Sequence, residues 1–207
     1  MKVIVVDYGI GNIHSVVKAL RSFGADVTVS SSPDDVGRAD RLVLPGVGAF
    51  ADGMNGLAIR GLIEPVQRFA STGRPLVGIC LGMQLLLSES EEFGSHQGLD
   101  LIPGRVVQIA AGPGIKVPHT GWNRIDPVAE RGWSGSLLEE VKPGTMFYFV
   151  HSFTAVPTHD TNRLADTMYG TNRIAAAIRH DNITGFQFHP EKSGPDGLTI
   201  VRRLLAA

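Results

Sequence analysis

Arg74-Pro75-Leu76-Val77-Gly78-Ile79-Cys80-Leu81-Gly82-Met83-Gln84 decides how this chain is read. Its first half is a short apolar run entered through a proline, which predicts a strand. Leucines at 81, 85, 86 and 87 predict a helix over residues 81–91. Strand, sharp turn and helix form the alternation from which α/β folds are built. The turn carries the only cysteine of the chain, with Gly78 and Gly82 two residues away on either side. A nucleophile elbow requires such flanks, because the reactive atom must stand at the tip of a bend too tight for a neighbouring Cβ. The backbone N–H of Leu81 then shares a side with the sulfur and can stabilise an oxyanion. The N-terminus of the following helix favours a thiolate. Taken alone, a cysteine in an apolar segment reads equally well as a small buried hydrophobe. A partner base has to decide.

Toward the N-terminus, Val3-Ile4-Val5-Val6 is a continuous apolar run ended by Asp7, the pattern of a strand buried on both faces of a parallel sheet. The turn Asp7-Tyr8-Gly9-Ile10-Gly11-Asn12 leads to a helix with Val16, Val17, Leu20 and Phe23 at helical spacing, stopped by Gly24. Gly9 and Gly11 begin a dinucleotide fingerprint, but position 14 is His14 where the third glycine belongs, so a Rossmann cofactor site is not expected. Residues 25–30 and 41–44 predict two further strands. The latter ends in Pro45-Gly46-Val47-Gly48, either an ordinary turn or a loop whose uncovered peptide N–H groups form an anion nest. Strands 1, 3 and 4 would end on one edge, the carboxyl edge where α/β sheets place their sites. Helical sequence fills residues 53–72.

Beyond residue 92 the pattern changes. Residues 105–109, 146–153, 173–178 and 183–188 predict strands with few helices between them, hence a second, largely antiparallel sheet or an extended edge. A last helix over residues 196–206 turns Leu198, Val201, Leu204 and Leu205 inward. No linker divides the chain, so one domain over residues 1–207 is expected.

Composition narrows the function. Nineteen Lys and Arg against twenty Asp and Glu leave a net charge of −1, which disfavours nucleic acid or an anionic membrane as partner. A single cysteine excludes an internal disulfide, and a free thiol fits a reducing cytoplasm. The apolar run at the N-terminus is too short for a signal peptide, and no stretch is long enough to span a bilayer. No cysteine–histidine cluster has metal spacing, so no metal and no cofactor are expected.

The base lies in Phe186-Gln187-Phe188-His189-Pro190-Glu191-Lys192. An alternating strand delivers His189 at its end, Pro190 fixes the turn, and Glu191 can fold back to the imidazole. A cysteine nucleophile needs a histidine to take its proton, and the histidine needs a carboxylate to hold its tautomer. A surface His-Pro-Glu turn is the alternative that the Cys80 elbow argues against.

Together these motifs resemble the class I, triad-type glutamine amidotransferases. More narrowly, the chain is similar to the glutaminase subunits of imidazole glycerol phosphate synthase. That likeness rests on Asp7-Tyr-Gly-Ile-Gly-Asn12, Pro45-Gly-Val-Gly-Ala-Phe-Ala-Asp-Gly-Met54, His119-Thr-Gly-Trp-Asn123, Tyr148-Phe-Val-His-Ser152 and Phe188-His-Pro-Glu-Lys-Ser193. His14 and Phe153 depart from it, where arginine and tyrosine are frequent. The resemblance implies a flavodoxin-like three-layer α/β sandwich, a mostly parallel central sheet with an added antiparallel sheet in the C-terminal half. It implies glutamine hydrolysis by Cys80, His189 and Glu191, with oxyanion donors from Leu81 and the Val47–Gly48 loop. Gly46, Gly48, Gln84, Ser152 and Phe153 would hold glutamine. Ammonia would pass to a (β/α)8-barrel cyclase subunit in a heterodimer that makes imidazole glycerol phosphate and aminoimidazole carboxamide ribotide. Asn12, Trp122, Asn123 and Lys192 would face that partner. Rival readings are the glutaminase of pyridoxal phosphate, anthranilate or guanylate synthesis, a free-standing γ-glutamyl hydrolase, and a non-catalytic subunit on the same fold.

Overall fold

The run Val3–Val6 lies wholly inside, its side chains pointing alternately to two separate cores: Ile4 and Val6 to one, Val3 and Val5 to the other. That alternation defines a central sheet covered on both faces. The computed structural model describes residues 1–128 and 132–206. In chain order, β1 (Lys2–Val6), α1 (Ile13–Arg21), β2 (Asp26–Ser30), α2 (Pro33–Arg38) and β3 (Arg41–Gly46) are followed by α3 (Phe50–Ile59), α4 (Ile63–Ala70), β4 (Leu76–Cys80) and α5 (Leu81–Leu85). Then come β5 (Leu87–Ser90), β6 (His96–Gln97), β7 (Ile102–Gln108), β8 (His119–Arg124), β9 (Asp126–Pro127), β10 (Met146–His151) and β11 (Phe153–Pro157). The chain closes with β12 (Arg163–Tyr169), β13 (Asn172–His180), β14 (Ile183–Phe186) and α6 (Gly194–Ala206).

The main sheet runs β2-β1-β3-β4-β14-β13-β12-β9. Its first five strands are parallel, whereas β13, β12 and β9 extend it antiparallel. Two smaller sheets stand apart, the antiparallel pair β10-β8 and the four-stranded β11-β7-β5-β6. One core joins the sheet to Val36 of α2, Leu57 of α3, Val66 of α4 and Leu85 of α5. The other joins it to Val16 and Leu20 of α1, Ile200 and Leu204 of α6, and Phe147 and Phe149 of β10. Each such side chain contributes about 1.5–3 kcal/mol by burial. The three-layer α/β sandwich, the mostly parallel sheet and the antiparallel addition all stand as the sequence implied.

Several elements differ from the sequence reading. The helix expected over residues 81–91 stops at Leu85, and Leu87–Ser90 pairs as a strand with Ile102–Gln108. Residues 81–87 are all buried, so no polar face distinguishes helix from strand in that run. The helix expected over residues 53–72 begins earlier and is two, broken at Gly61 with φ +63°. The strand expected over residues 146–153 is also two: Met146–His151 pairs with β8, Phe153–Pro157 with β7, and the chain changes sheet at Ser152. That change of sheet brings Ser152 and Phe153 to the site.

Candidate active site

β1, β3, β4 and β14 run parallel, so Asp7, Gly46, Cys80 and the segment after Phe186 leave the sheet on one edge. Gly46 and Cys80 are register partners at the ends of β3 and β4. Cys80 has φ +55° and ψ −110°, a conformation strained for a residue with a side chain and typical of a nucleophile elbow. The flanking glycines have steric reasons to be there. A Cβ on Gly82 would lie 1.7 Å from the Leu44 carbonyl oxygen, and one on Gly78 would lie 2.6 Å from the Gly82 carbonyl oxygen. The bend is therefore backbone packed directly on backbone. Only five residues of helix follow it, so the N-terminal field at the sulfur is weaker than an eleven-residue helix would give.

His189 reaches the same edge beyond the end of β14. Its own N–H donates to the Tyr148 carbonyl at 3.0 Å, the Ser193 hydroxyl donates to the His189 carbonyl at 2.6 Å, and the Tyr148 N–H donates to that hydroxyl at 3.0 Å. Ser193 thus clamps the turn that carries the imidazole. His189 Nδ1 stands 2.8 Å from Glu191 Oε1, with both side chains 2% exposed. A carboxylate accepts only, so Nδ1 carries the proton and Nε2 is left to act. Among the described residues Nε2 makes no hydrogen bond; the Cys80 thiol instead faces the Val150 carbonyl at 3.8 Å, and Gln187 Nε2 stands 3.8 Å from the sulfur. Burial pulls the His189 pKa down, but the contact and charge of Cys80 and of Glu191 outweigh it and raise it to about 9.

A pocket of about 290 Å³ opens beside the sulfur, lined by Val47, Gly48, Leu81, Gln84, Ser152 and Phe153 among others. These are residues the sequence nominated. Gly46 does not line it but lies beneath, where an added Cβ would strike the Tyr8 hydroxyl at 2.1 Å. That hydroxyl donates to the Pro45 carbonyl at 2.6 Å and so ties β1 to the base of the 46–48 loop. Burial raises the Tyr8 pKa, with the charge of Cys80 adding to it, so Tyr8 remains a neutral donor. Gly48 has φ +117°, a conformation glycine alone adopts easily.

Three lining residues escaped the sequence reading: Val150, whose carbonyl faces the Cys80 thiol at 3.8 Å, and two with ionisable side chains. Glu92, only 9% exposed, accepts the Phe50 N–H through Oε2 at 2.7 Å and is the one carboxylate that lines the pocket among the described residues. Nothing in Glu91-Glu92 distinguishes it from a solvated turn; its burial depends on a partner far away in sequence. His151 is the second. Its Nδ1 stands 2.7 Å from the Phe153 carbonyl and its Nε2 2.9 Å from His119 Nδ1. Burial lowers its pKa to about 3, and the charges of His119 and His189 add to that. With both nitrogens engaged, His151 has none left to take a proton, whereas His189 Nε2 has no hydrogen-bond partner among the described residues.

Trp122 is 53% exposed and packs edge-on to Tyr148 at 6.2 Å, and Tyr148 in turn lies 6.4 Å from His189. Asn123 donates to the Met168 carbonyl at 2.9 Å, Asn12 accepts from the Ser15 hydroxyl at 3.3 Å, and Lys192 and His14 are exposed. A larger cavity, about 580 Å³, lies at the opposite edge of the sheet among Asp160, Asn162, Arg163 and His180, remote from the sulfur. Among the described residues no group of three His, Cys, Asp or Glu is placed to hold a metal ion, and no helix is long and apolar enough to cross a membrane.

An elbow cysteine, a buried histidine–carboxylate pair and a small pocket thus meet at the carboxyl edge of a doubly wound sheet. The chain belongs to the class-I glutamine amidotransferases, whose family model matches residues 4–206. It is 49% identical over 206 residues to imidazole glycerol phosphate synthase subunit HisH 1 of Legionella pneumophila (strain Paris), covering 97% of each chain. It is 48% identical over 201 residues to subunit HisH of Methanothermobacter thermautotrophicus, covering 97% of this chain and 96% of that one. Within its class it is therefore a HisH-type glutamine amidotransferase subunit. The fold is also that of PurLQS from Thermotoga maritima, with a TM-score of 0.73 at 18% identity over 99% of this chain and 97% of that one.

Proposed function

We propose that this chain hydrolyses glutamine to glutamate and ammonia and delivers the ammonia to the cyclase component of imidazole glycerol phosphate synthase. The carrying observation is the buried 2.8 Å His189–Glu191 bond beside an elbow cysteine that opens onto a pocket. Glutamine enters with its side-chain amide over Cys80. Gln84, Ser152 and Phe153 hold it, and the Glu92 carboxylate pairs with its α-ammonium group. His189 Nε2 takes the thiol proton, and the sulfur attacks the amide carbon. The oxyanion is met by the Leu81 N–H and a peptide N–H of Val47 or Gly48. The C–N bond breaks as His189 returns the proton to the departing ammonia. Water, deprotonated by His189, then cleaves the thioester, and glutamate leaves. Glu191 holds the imidazole in the tautomer both steps need.

The partner reading is a heterodimer with a (β/α)8-barrel cyclase. Trp122, Tyr148 and Met146 share one face of the β8–β10 pair, with Trp122 and Met146 about half exposed, and such an aromatic and methionine-bearing face is suited to an interface. Lys192 and Asn12 flank the turn and helix nearby and supply its polar rim, with Asn123 on β8. A reducing compartment such as the cytoplasm suits the free thiol of Cys80.

The deciding experiment is Cys80→Ala assayed with the cyclase. Glutamate release should vanish while synthesis from added ammonium salt persists. Glutamate release at the wild-type rate would overturn the assignment.

A further inference from the structure

His119 and His151 are buried, belong to two motifs that the sequence singled out, and take no part in the proton transfers above. They are register partners across β8 and β10. His119 is 2% exposed and His151 6%. The His119 ring is sandwiched between Phe149, at 4.8 Å and 20°, and Tyr169, at 4.1 Å and 24°. The two stacks fix the plane of the ring, and the contact of its Nδ1 with His151 Nε2 at 2.9 Å selects which way it is turned within that plane.

The hydrogen-bond roles of the pair are fixed from one end. The Phe153 carbonyl only accepts, so His151 Nδ1 bears a proton and donates to it at 2.7 Å. Burial keeps the His151 ring neutral, so its Nε2 is an acceptor. His119 Nδ1, 2.9 Å away, must then be the donor. Both rings hold the Nδ1–H tautomer. The chain of hydrogen bonds continues beyond Phe153. Its carbonyl also receives the Gln84 side-chain amide at 3.1 Å, and the same amide nitrogen donates to Gln187 Oε1 at 3.0 Å. Gln187 Nε2 then lies 3.8 Å from the Cys80 sulfur. One file of donors and acceptors thus runs from His119 to the nucleophile, and Gln84, His151 and Phe153 of that file all line the pocket.

From this geometry we infer that His119 and His151 are positioning residues for glutamine: a pair of neutral imidazoles in matched tautomers that sets the Phe153 carbonyl and, through it, the Gln84 amide against the pocket. The inference rests on the glutaminase reading above. The pair touches neither the reacting bond nor the proton that moves. A file whose last members line the substrate site governs how well glutamine is held more than how fast the thioester forms. The change of sheet at Ser152 is where such a brace is needed, since β10 and β11 belong to different sheets and the Ile109 N–H, which donates to the Ser152 carbonyl at 2.9 Å, leaves the Phe153 carbonyl to be set by side chains.

The test compares His119→Phe, which keeps the stack and removes the N–H, with His119→Asn, whose amide nitrogen replaces Nδ1 as donor. Both are assayed for glutamate release as the full chain with the cyclase present. His119→Phe should raise KM for glutamine ~5–10-fold, the scale of one hydrogen bond, and change kcat less. His119→Asn should return KM close to wild type. An unmoved KM in His119→Phe, or equal impairment in both variants, overturns the inference. Nitrogen-15 spectra of histidine-labelled wild type give a readout that a merely structural role does not dictate. At pH 7 both rings should show protonated Nδ1 and bare Nε2, and a protonated His151 Nε2 overturns the assignment whatever the kinetics. If wild type releases no glutamate, this inference and the glutaminase reading fall together; wild-type turnover with KM unmoved sinks this one alone.

Discussion

Replacing Glu191 by Gln tests the charge relationships of the site most directly. The carboxylate sits 2.8 Å from His189 Nδ1 with both side chains almost sealed from water, so solvent screens the pair little. Burial alone would leave His189 neutral; Cys80 and Glu191 together raise it from 6.5 to about 9. That gap corresponds to ~3 kcal/mol between charged and neutral ring. A histidine held above its ordinary value contributes stability fully below about 6.5, and the contribution is lost as pH rises through about 9. Three effects follow for Glu191→Gln. The His189 titration, followed by NMR, moves down toward 6.5 because one of its two supports is gone. Unfolding free energy becomes flatter with pH between 6.5 and 9. The alkaline limb of kcat/KM, near 9 in wild type because the protonated ring must deliver its proton to ammonia, moves down with it. An amide can also turn its NH2 toward Nδ1 and enforce the wrong tautomer, so turnover should drop ~10²–10⁴-fold, less than for loss of His189 itself. A variant whose His189 titrates as in wild type, at near-normal turnover, would refute the reasoning.

Gly82→Ala puts a Cβ 1.7 Å from the Leu44 carbonyl oxygen, so α5 must lift from β3 by more than an ångström. The lowered melting temperature should come with ~10²-fold loss of turnover, since a nucleophile displaced that far no longer faces its base; normal values of both would argue against the elbow geometry. Glu92→Gln should raise KM for glutamine at least ~10-fold with a smaller change in kcat, as expected for a charged partner of an ammonium group. An unchanged KM would remove Glu92 from the pocket's recognition. Adding the cyclase and its nucleotide substrate should raise glutaminase turnover at least ~10²-fold, mainly in kcat, the scale of completing an oxyanion hole. Full turnover by the isolated chain would favour a free-standing hydrolase.

Much of this arrangement was legible in the sequence because the decisive groups sit at strand ends flanked by breakers. Val3–Val6, the Cys80 elbow and His189-Pro190-Glu191 each announce an edge of the sheet. What was not legible depends on partners distant in the chain. β12 hides its period because Arg163 and Thr167 point inward, Arg163 sustained there by Asp166 at 2.7 Å. The leucines at 85–87 belong partly to a helix and partly to a strand, and uniform burial erases the difference. Glu92 and His151 enter the site through hydrogen bonds to Phe50 and His119, which no local spacing encodes.

The place of β14 in the sheet has a consequence for the nascent protein. β4 carries the cysteine, and its neighbour on one side is β14, a strand synthesised roughly a hundred residues later, which makes this a costly loop to close. Until that strand slots in between β4 and β13, the segment that carries His189 and Glu191 has not been delivered to Cys80, and the gap beside β4 is an open, apolar strand edge. A chain still emerging from the ribosome therefore carries Cys80 without His189 beside it. Completion of the site and closure of the sheet are one event.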